Sequence, residues 1–209
     1  REVGIEKVAK TATDFGLGER AGIDIPGEEK GVVPTPEWKM KRFNQKWLPG
    51  DLVNMSIGQG YVLTTPLQVL MVYQGIANKG VMYKPTVVDK FVSFDGKVEN
   101  KEPEVLRKLP FKPENIEIMR EALKEPVNKP GGTARILYFP NIPVSAKTGT
   151  AQNTGFKDHH SWLAGYFPSD NPEIVFISLV EGGGYGGVAS GDLVRKFIIK
   201  YNEKYNIAQ

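Results

Sequence analysis

The sequence predicts an α+β fold in which an antiparallel sheet lies between two helical layers. Three strand patterns follow one another in the last third of the chain, over residues 144–152, 161–167 and 173–181. Their short connections favour antiparallel neighbours. The third strand is largely apolar on both alternating sets of residues, so both faces of the sheet must be covered. Helical patterns before and after the strands supply the two covering layers, which gives an α/β/α arrangement.

The helical patterns begin close to the start of the chain. Five apolar residues recur there at helical spacing: Ile5, Val8, Ala9, Ala12 and Phe15. The glycines that follow are typical of a helix end. Residues 21–49 carry four prolines among charged residues, so we expect an irregular surface connection. Pro66 then begins a helix that is apolar nearly all round and is therefore predicted to be buried.

The middle of the chain is predicted to form a hairpin and an amphipathic helix. The hairpin turns at Asp95-Gly96, a pair that readily adopts a type I′ turn, and we expect it to be peripheral. Pro113 begins the helix, which ends before Pro130. Ser190 is the predicted N-cap of a closing helix with one continuous apolar stripe.

Composition and charge exclude several functional classes. The 27 basic and 24 acidic residues leave a net charge of +3, which is too small to indicate a nucleic-acid partner. The absence of cysteine excludes thiolate zinc sites, thiol nucleophiles and disulfides. The longest apolar run, at 174–180, is far shorter than the ~20 residues of a membrane-spanning helix. A basic run is interpreted as a solvated face: Lys39, Lys41, Arg42 and Lys46.

Two candidate sites are considered and set aside. Residues 182–187 satisfy G-x-G-x-x-G between a strand and a helix, but no second parallel strand with an acidic residue follows. We interpret them as a flexible loop rather than a dinucleotide site. The only histidines, His159 and His160, have no cysteine partners for zinc. Asp158, His160 and Ser161 are the residue types of a catalytic triad, but sequence neighbours on a strand point to opposite faces and cannot relay a proton in line. We therefore predict neither a metal nor a cofactor.

The remaining candidate is the sequence Lys-Thr-Gly-Thr-Ala-Gln at 147–152. On a strand, Lys147 and Gly149 share one face, and Thr148 and Thr150 share the other. A lysine, two hydroxyls and a glycine along one strand form an anion-binding rim, because glycine lets a ligand approach the backbone and amides can donate to an oxyanion. The arrangement suits a carboxylate-bearing acyl substrate. The alternative is a plain turn at a strand end.

Several motifs together resemble those of the penicillin-binding protein transpeptidases, the serine acyl transferases that cross-link peptidoglycan. They are FGLG at 15–18, GIDIPGE at 22–28, WLPGD at 47–51, NMSIGQG at 54–60, TPLQ at 65–68, GTA at 132–134, KTGTAQ at 147–152 and HSWLAGY at 160–166. The details are most similar to the class B, elongation-type enzymes. The resemblance implies a penicillin-binding, β-lactamase-like transpeptidase fold that is incomplete in this chain.

The family's nucleophile is the serine of a Ser-x-x-Lys motif, and a Ser-x-Asn motif assists it. Both motifs precede the Gly-Leu-Gly region in the family, so we expect both upstream of Arg1. The chain starts on Arg1 with a helical pattern that no capping residue precedes. Residues 1–209 are therefore expected to be the C-terminal portion of a transpeptidase domain, and to be inactive without the upstream segment as a partner.

The resemblance assigns roles to individual residues of the Lys-Thr-Gly strand. Lys147 is expected to supply positive charge and organise the serine hydroxyls, the alternative being a salt-bridged lysine at a strand end. Thr148 and Thr150 are expected to bind the substrate carboxylate, and the Thr150 amide to donate to the oxyanion. Gly149 would permit close approach, and Gln152 would line the cleft.

Other matched residues are given weaker roles. Tyr185 is a second candidate for lining the cleft. His160 and Trp162 are expected to pack between strands rather than to contact substrate. Residues 56–60 are expected to position the buried helix rather than to take part in the chemistry.

The resemblance also implies partners and a location. The complete protein is expected to be a D,D-transpeptidase that acts on peptidoglycan stem peptides through a serine acyl-enzyme and is blocked by β-lactams. An upstream segment would anchor it at the extracytoplasmic face of the bacterial membrane. The alternatives are a D,D-carboxypeptidase, a β-lactamase-like relative and a non-catalytic penicillin-sensing domain.

Overall fold

The computed structural model describes residues 3–152, 155 and 157–207. The α-helices of this part are α1 (Ile5–Asp14), α2 (Pro36–Phe43), α3 (Pro49–Ser56), α4 (Pro66–Ala77), α5 (Pro113–Asn128) and α6 (Ala189–Tyr205). Its strands are β1 (Val81–Tyr83), β2 (Lys90–Val92), β3 (Val98–Asn100), β4 (Val105–Lys108), β5 (Ser145–Ala151), β6 (His160–Phe167) and β7 (Ile174–Val180). A 3-10 helix spans Arg135–Leu137. None of the described helices is long and apolar enough to cross a bilayer.

The main sheet has the strand order β5-β6-β7, with antiparallel pairs throughout. Val194 and Ile198 of α6 share a buried apolar cluster with Leu163 of β6 on one face. Ile76 of α4 shares a second cluster with Tyr166 of β6 on the other face. The predicted α/β/α layering is confirmed.

The buried helix α4 is held by polar contacts as well as by apolar packing. Thr65 Oγ1 accepts from Gln68 N (3.1 Å), and Thr65 N donates to Gln68 Oε1 (2.9 Å), which closes a capping box. The buried Nε2 of Gln68 donates to the carbonyls of Glu19 (2.7 Å) and Lys30 (2.8 Å). The N-terminal segment is thereby fixed against the start of α4.

The prediction of an irregular connection over 21–49 is wrong in its second half, where α2 forms. Thr35 Oγ1 accepts from Trp38 N (3.1 Å), and Pro36 occupies the first helical position. Lys39 was expected on a solvated face, but its side chain is only 4% exposed and its Nζ lies 2.6 Å from Asp51 Oδ2. The error arises because the buried residue of α2 is a charged lysine, so the hydrophobic pattern of the sequence does not show which face of α2 is buried.

The hairpin β2–β3 is peripheral, as predicted, and every residue of its two strands is exposed. Its turn is not the predicted type I′. Only Gly96 of the Asp95-Gly96 pair has a positive φ, at 82°, and Gly96 N donates to Ser93 O (2.9 Å). Ser93 N in turn donates to Lys97 O (3.0 Å), which is the pattern of a three-residue loop closed by a glycine bulge.

The Lys39–Asp51 pair leads to the first testable prediction. Asp51 also accepts from Leu48 N (2.7 Å), and the Lys39 ammonium followed by this amide holds the pKa of Asp51 below its ordinary value. Lys39→Met leaves this carboxylate without its cation, and we expect it to lower the free energy of unfolding at neutral pH by about 2 kcal/mol, measured by urea denaturation. Lys41→Met removes an exposed lysine from the same helix and serves as the matched control.

The pH dependence follows from the direction of the shift. A lowered folded-state pKa means that the stabilisation is complete above the unfolded value of about 3.9 and is lost as the pH falls through the folded value. The gap in stability between the original protein and Lys39→Met should therefore shrink on acidification. A gap that stays constant to the acid limit of folding contradicts the electrostatic origin.

Candidate active site

The strand β5 places the Lys-Thr-Gly residues at an edge of the main sheet. Gly149 pairs with Trp162, and Thr150 pairs with Ser161. Residues directly opposite each other in an antiparallel pair share a face. Lys147, Gly149 and Trp162 therefore lie on the α4 face, whereas Thr150 and Ser161 lie on the α6 face.

Lys147 is exposed, and its Nζ donates to the backbone carbonyl of Thr148 (2.7 Å). Among the described residues its partner is thus a neutral carbonyl, whereas a salt-bridged lysine would pair with a carboxylate. The ammonium keeps two further N–H donors. Its charge is available to an anion at the edge of β5.

Thr150 makes two contacts with segments that are distant in sequence. Its Oγ1 accepts from Gly186 N (3.2 Å), and its carbonyl accepts from Gln59 Nε2 (3.1 Å). In an antiparallel ladder the N–H and C=O of one residue point to the same side. The Thr150 amide therefore points, like its carbonyl, away from β6, where an oxyanion donor would be needed.

The glycine-rich loop at 182–187 joins β7 to α6 and is held by hydrogen bonds. Gly182 N donates to His160 Nδ1 (3.1 Å), and Ser161 Oγ donates to Tyr185 O (3.1 Å). Ser190 N donates to Ser161 Oγ (3.2 Å) at the start of α6. The strand before the loop pairs antiparallel with its neighbour, whereas the strands of a dinucleotide-binding fold are parallel. The side chain of Tyr185 is exposed beside the strand end.

Two glycines allow backbone segments to meet at the centre of the site. A Cβ on Gly149 would lie 3.2 Å from the Cβ of Trp162. A Cβ on Gly186 would lie 2.6 Å from the carbonyl oxygen of Trp162 and closer still to that of Gly149. Gly149 was expected to make room for a ligand. The structure gives a second reason for glycine at this position, because a side chain there would crowd Trp162.

A groove of about 410 Å³ lies between the end of β5 and the loop that follows α3. It is lined by residues 57–60, 62–64 and 149–152 together with Val69, His160 and Trp162. His160 and Trp162 are half-buried and border the groove, so strand packing accounts for only part of their surroundings. Sequence reasoning expected residues 56–60 only to position α4. The glutamine between two glycines was the signal that could have indicated a further role.

One Ser-x-Asn tripeptide does occur in the chain, at Ser169-Asp170-Asn171, although the motif was expected only upstream. Ser169 is buried in the turn between β6 and β7, where its Oγ accepts from Ser145 Oγ (2.9 Å). Ser145 begins β5, whereas Thr150 lies near its other end. The tripeptide is therefore remote from the groove and does not replace the missing motif.

Two tyrosines of the α4 face are not bases. Burial, followed by the neighbouring Tyr166, raises the pKa of Tyr73 to about 12. Burial also raises the pKa of Tyr166 above its ordinary value. Both phenols stay protonated near neutral pH.

A Lys-Thr-Gly edge strand, followed by a hairpin strand and backed by a terminal helix, is the arrangement that the resemblance to penicillin-binding transpeptidases implied. Residues 1–198 match the family described as the penicillin binding protein transpeptidase domain. The chain belongs to this family.

Within the family, the similarity is to class B, elongation-type members. The chain is 30% identical to the peptidoglycan D,D-transpeptidase MrdA of Haemophilus influenzae, in a match that covers 98% of this chain and 35% of that protein. A penicillin-binding protein (PBP2) of Helicobacter pylori, solved in complex with MreC, has a TM-score of 0.80 at 33% identity, covering 97% of this chain and 37% of that one. The PBP2 of Pseudomonas aeruginosa in complex with WCK 5153 has a TM-score of 0.81 at 27% identity, covering 95% of this chain and 44% of that one.

These comparisons confirm the expected family and fold. The chain spans about a third of the length of the curated relatives, at 33% and 35% for two of them. The roles of the individual residues of β5 stay predictions, as does the correspondence of residues 1–209 to the C-terminal portion of the domain.

Proposed function

We propose that the complete protein is a peptidoglycan D,D-transpeptidase and that residues 1–209 are the C-terminal portion of its catalytic domain. A serine supplied by an upstream Ser-x-x-Lys segment attacks the carbonyl carbon of the penultimate D-alanine of a stem peptide. The terminal D-alanine leaves with a proton, and an amine of a second stem peptide then displaces the serine. β-Lactams acylate the same serine. The anchor at the extracytoplasmic membrane face also belongs to the upstream part.

The observation that carries the proposal is the open edge of β5. The Thr150 carbonyl faces this edge, the Lys147 ammonium is exposed near it, and the groove begins beside them. A preorganised N–H donor and a cation at such an edge stabilise the negative charge that develops during acyl transfer. The 209 residues contain no Ser-x-x-Lys, so the nucleophile must come from another segment.

Each residue of β5 has a distinct role in this proposal. The Lys147 ammonium lowers the cost of ionising the serine hydroxyls. Thr148 and Thr150 bind the carboxylate through their hydroxyls, and Thr150 Oγ1 can still donate its proton while it accepts from Gly186 N. Gly149 has no side chain, so a ligand can approach the backbone of β5 there. Gln152 is exposed and lines the groove.

The proposal is tested by covalent labelling with a fluorescent penicillin, read by intact mass. The 209-residue chain alone should remain unlabelled, and the complete protein should gain one adduct on a serine upstream of Arg1. An adduct on the 209-residue chain alone contradicts the proposal. A stem-peptide assay on the complete protein separates the outcomes further, because D-alanine release without cross-linked product indicates a carboxypeptidase.

A further inference from the structure

Gln59 has an unusual setting in the loop that follows α3. It is half-buried, whereas its neighbours Ser56, Ile57, Gly58 and Gly60 are exposed. The two flanking glycines have positive φ values of 74° and 73°, a backbone conformation that turns the chain sharply on both sides of Gln59. The loop therefore directs this one side chain inward, towards β5.

The loop starts from a fixed point. Gln59 N donates to Asn54 O (2.9 Å), and Gly58 N donates to Met55 O (2.9 Å), which ties the loop to the last turn of α3. Met55 is buried in an apolar cluster with Ile5 and Ala9 of α1. The carboxamide of Gln59 is thus presented by a packed helical unit rather than by a freely moving loop.

From this anchor, Gln59 Nε2 reaches the carbonyl of Thr150 over 3.1 Å and joins segments 91 positions apart in sequence. The Thr150 peptide groups point away from β6, so the ladder with β6 does not restrain them. A hydrogen bond to the carbonyl limits rotation about the Thr150 backbone and thereby fixes the direction of its amide N–H. An error of about 1 Å in such a donor costs a large part of its catalytic effect.

We propose that Gln59 is a positioning residue for acyl transfer: its carboxamide fixes the edge of β5 and so aims the Thr150 amide at the oxyanion. The inference rests on the proposed function, because it assumes that the Thr150 amide is the oxyanion donor. Gln59 itself contacts neither substrate nor nucleophile in this assignment. It acts through Thr150.

The test uses Gln59→Met and Gln59→Glu in the complete protein. Methionine keeps the length of the side chain without a donor, and glutamate replaces the donor with a second acceptor facing the carbonyl. Ser56→Ala is the matched control, because Ser56 is an exposed residue of the same loop whose hydroxyl donates to Val53 O (2.7 Å). Penicillin acylation is followed over a range of concentrations, so that the limiting acylation rate is separated from the initial binding constant.

Both Gln59 variants should lower the limiting acylation rate about tenfold, the loss expected for one hydrogen bond, with little change in the initial binding constant. Ser56→Ala should match the original protein, and the melting temperatures of the Gln59 variants should fall too little to account for the loss of acylation rate. A Gln59→Met protein that acylates at the original rate overturns the inference. So does a loss that is accompanied by a matching fall in melting temperature, because that result indicates a structural role alone.

Hydrogen exchange of the peptide containing Thr150 provides a readout that does not depend on activity. Removal of the Gln59 donor should accelerate exchange at this edge, and exchange unchanged in Gln59→Met overturns the inference. If the original protein is not acylated at all, the proposed function fails. The exchange measurement still decides in that case whether Gln59 restrains β5.

Discussion

Replacing Lys147 by alanine in the complete protein should lower the rate of β-lactam acylation by at least about a hundredfold, the usual effect of removing one preorganised group that stabilises charge in the transition state. The Lys147 ammonium lies at the open edge of β5 and is held only by the Thr148 carbonyl in the described structure. Its charge is therefore not already neutralised by a carboxylate. Loss of that charge should act on the chemical step.

The same substitution should leave the fold intact, because Lys147 is exposed and substitutions of exposed side chains usually change stability by less than about 0.5 kcal/mol. The measurement is the second-order rate of labelling by a fluorescent penicillin, together with thermal unfolding. Lys196→Ala is the control, since Lys196 is an exposed lysine that pairs with Asp192 (2.7 Å) far from β5. Near-original labelling by a folded Lys147→Ala protein contradicts the assigned role.

The sheet and its covering helices could be predicted because their signals are local. β7 is apolar on both faces, and the stripe of α6 is continuous, so each sequence segment indicates its own burial. α2 was missed for the opposite reason. Its buried residue is Lys39, whose charge is compensated by Asp51, and the pairing of two charges 12 positions apart is not visible in a hydrophobic pattern.

The same difference between local signals and contacts distant in sequence applies to the candidate site. The Lys-Thr-Gly strand is a continuous run, so its residues and faces could be derived from the period of a strand. The contacts that fix its edge come from elsewhere: Gln59 precedes Thr150 by 91 residues, and Gly186 follows it by 36. A sequence shows that a glutamine lies between glycines, but only the fold brings it to the carbonyl of Thr150.

Gly186→Ala should damage the end of the site where the glycine-rich loop meets β5. A Cβ at this position would overlap the carbonyl oxygens of Gly149 and Trp162, and both are backbone atoms of paired strands that cannot move aside. The glycine-rich loop must shift instead. The shift breaks the hydrogen bond from Gly186 N to Thr150 Oγ1 and disturbs the one from Ser161 Oγ to Tyr185 O.

Overpacking of this kind usually costs about 1–3 kcal/mol in stability. The loss of acylation rate should be larger than this cost alone explains, because Thr150 loses the contact that, in the proposed role, orients its hydroxyl towards the substrate carboxylate. Gly184→Asn is the control: Gly184 has a φ of 75°, which asparagine tolerates, and open space where its Cβ would lie. Acylation is compared between a carboxylate-bearing β-lactam and its methyl ester. The role assigned to Thr150 requires the carboxylate form to lose more, and equal losses for acid and ester would show that the loop supports the fold without orienting the hydroxyl.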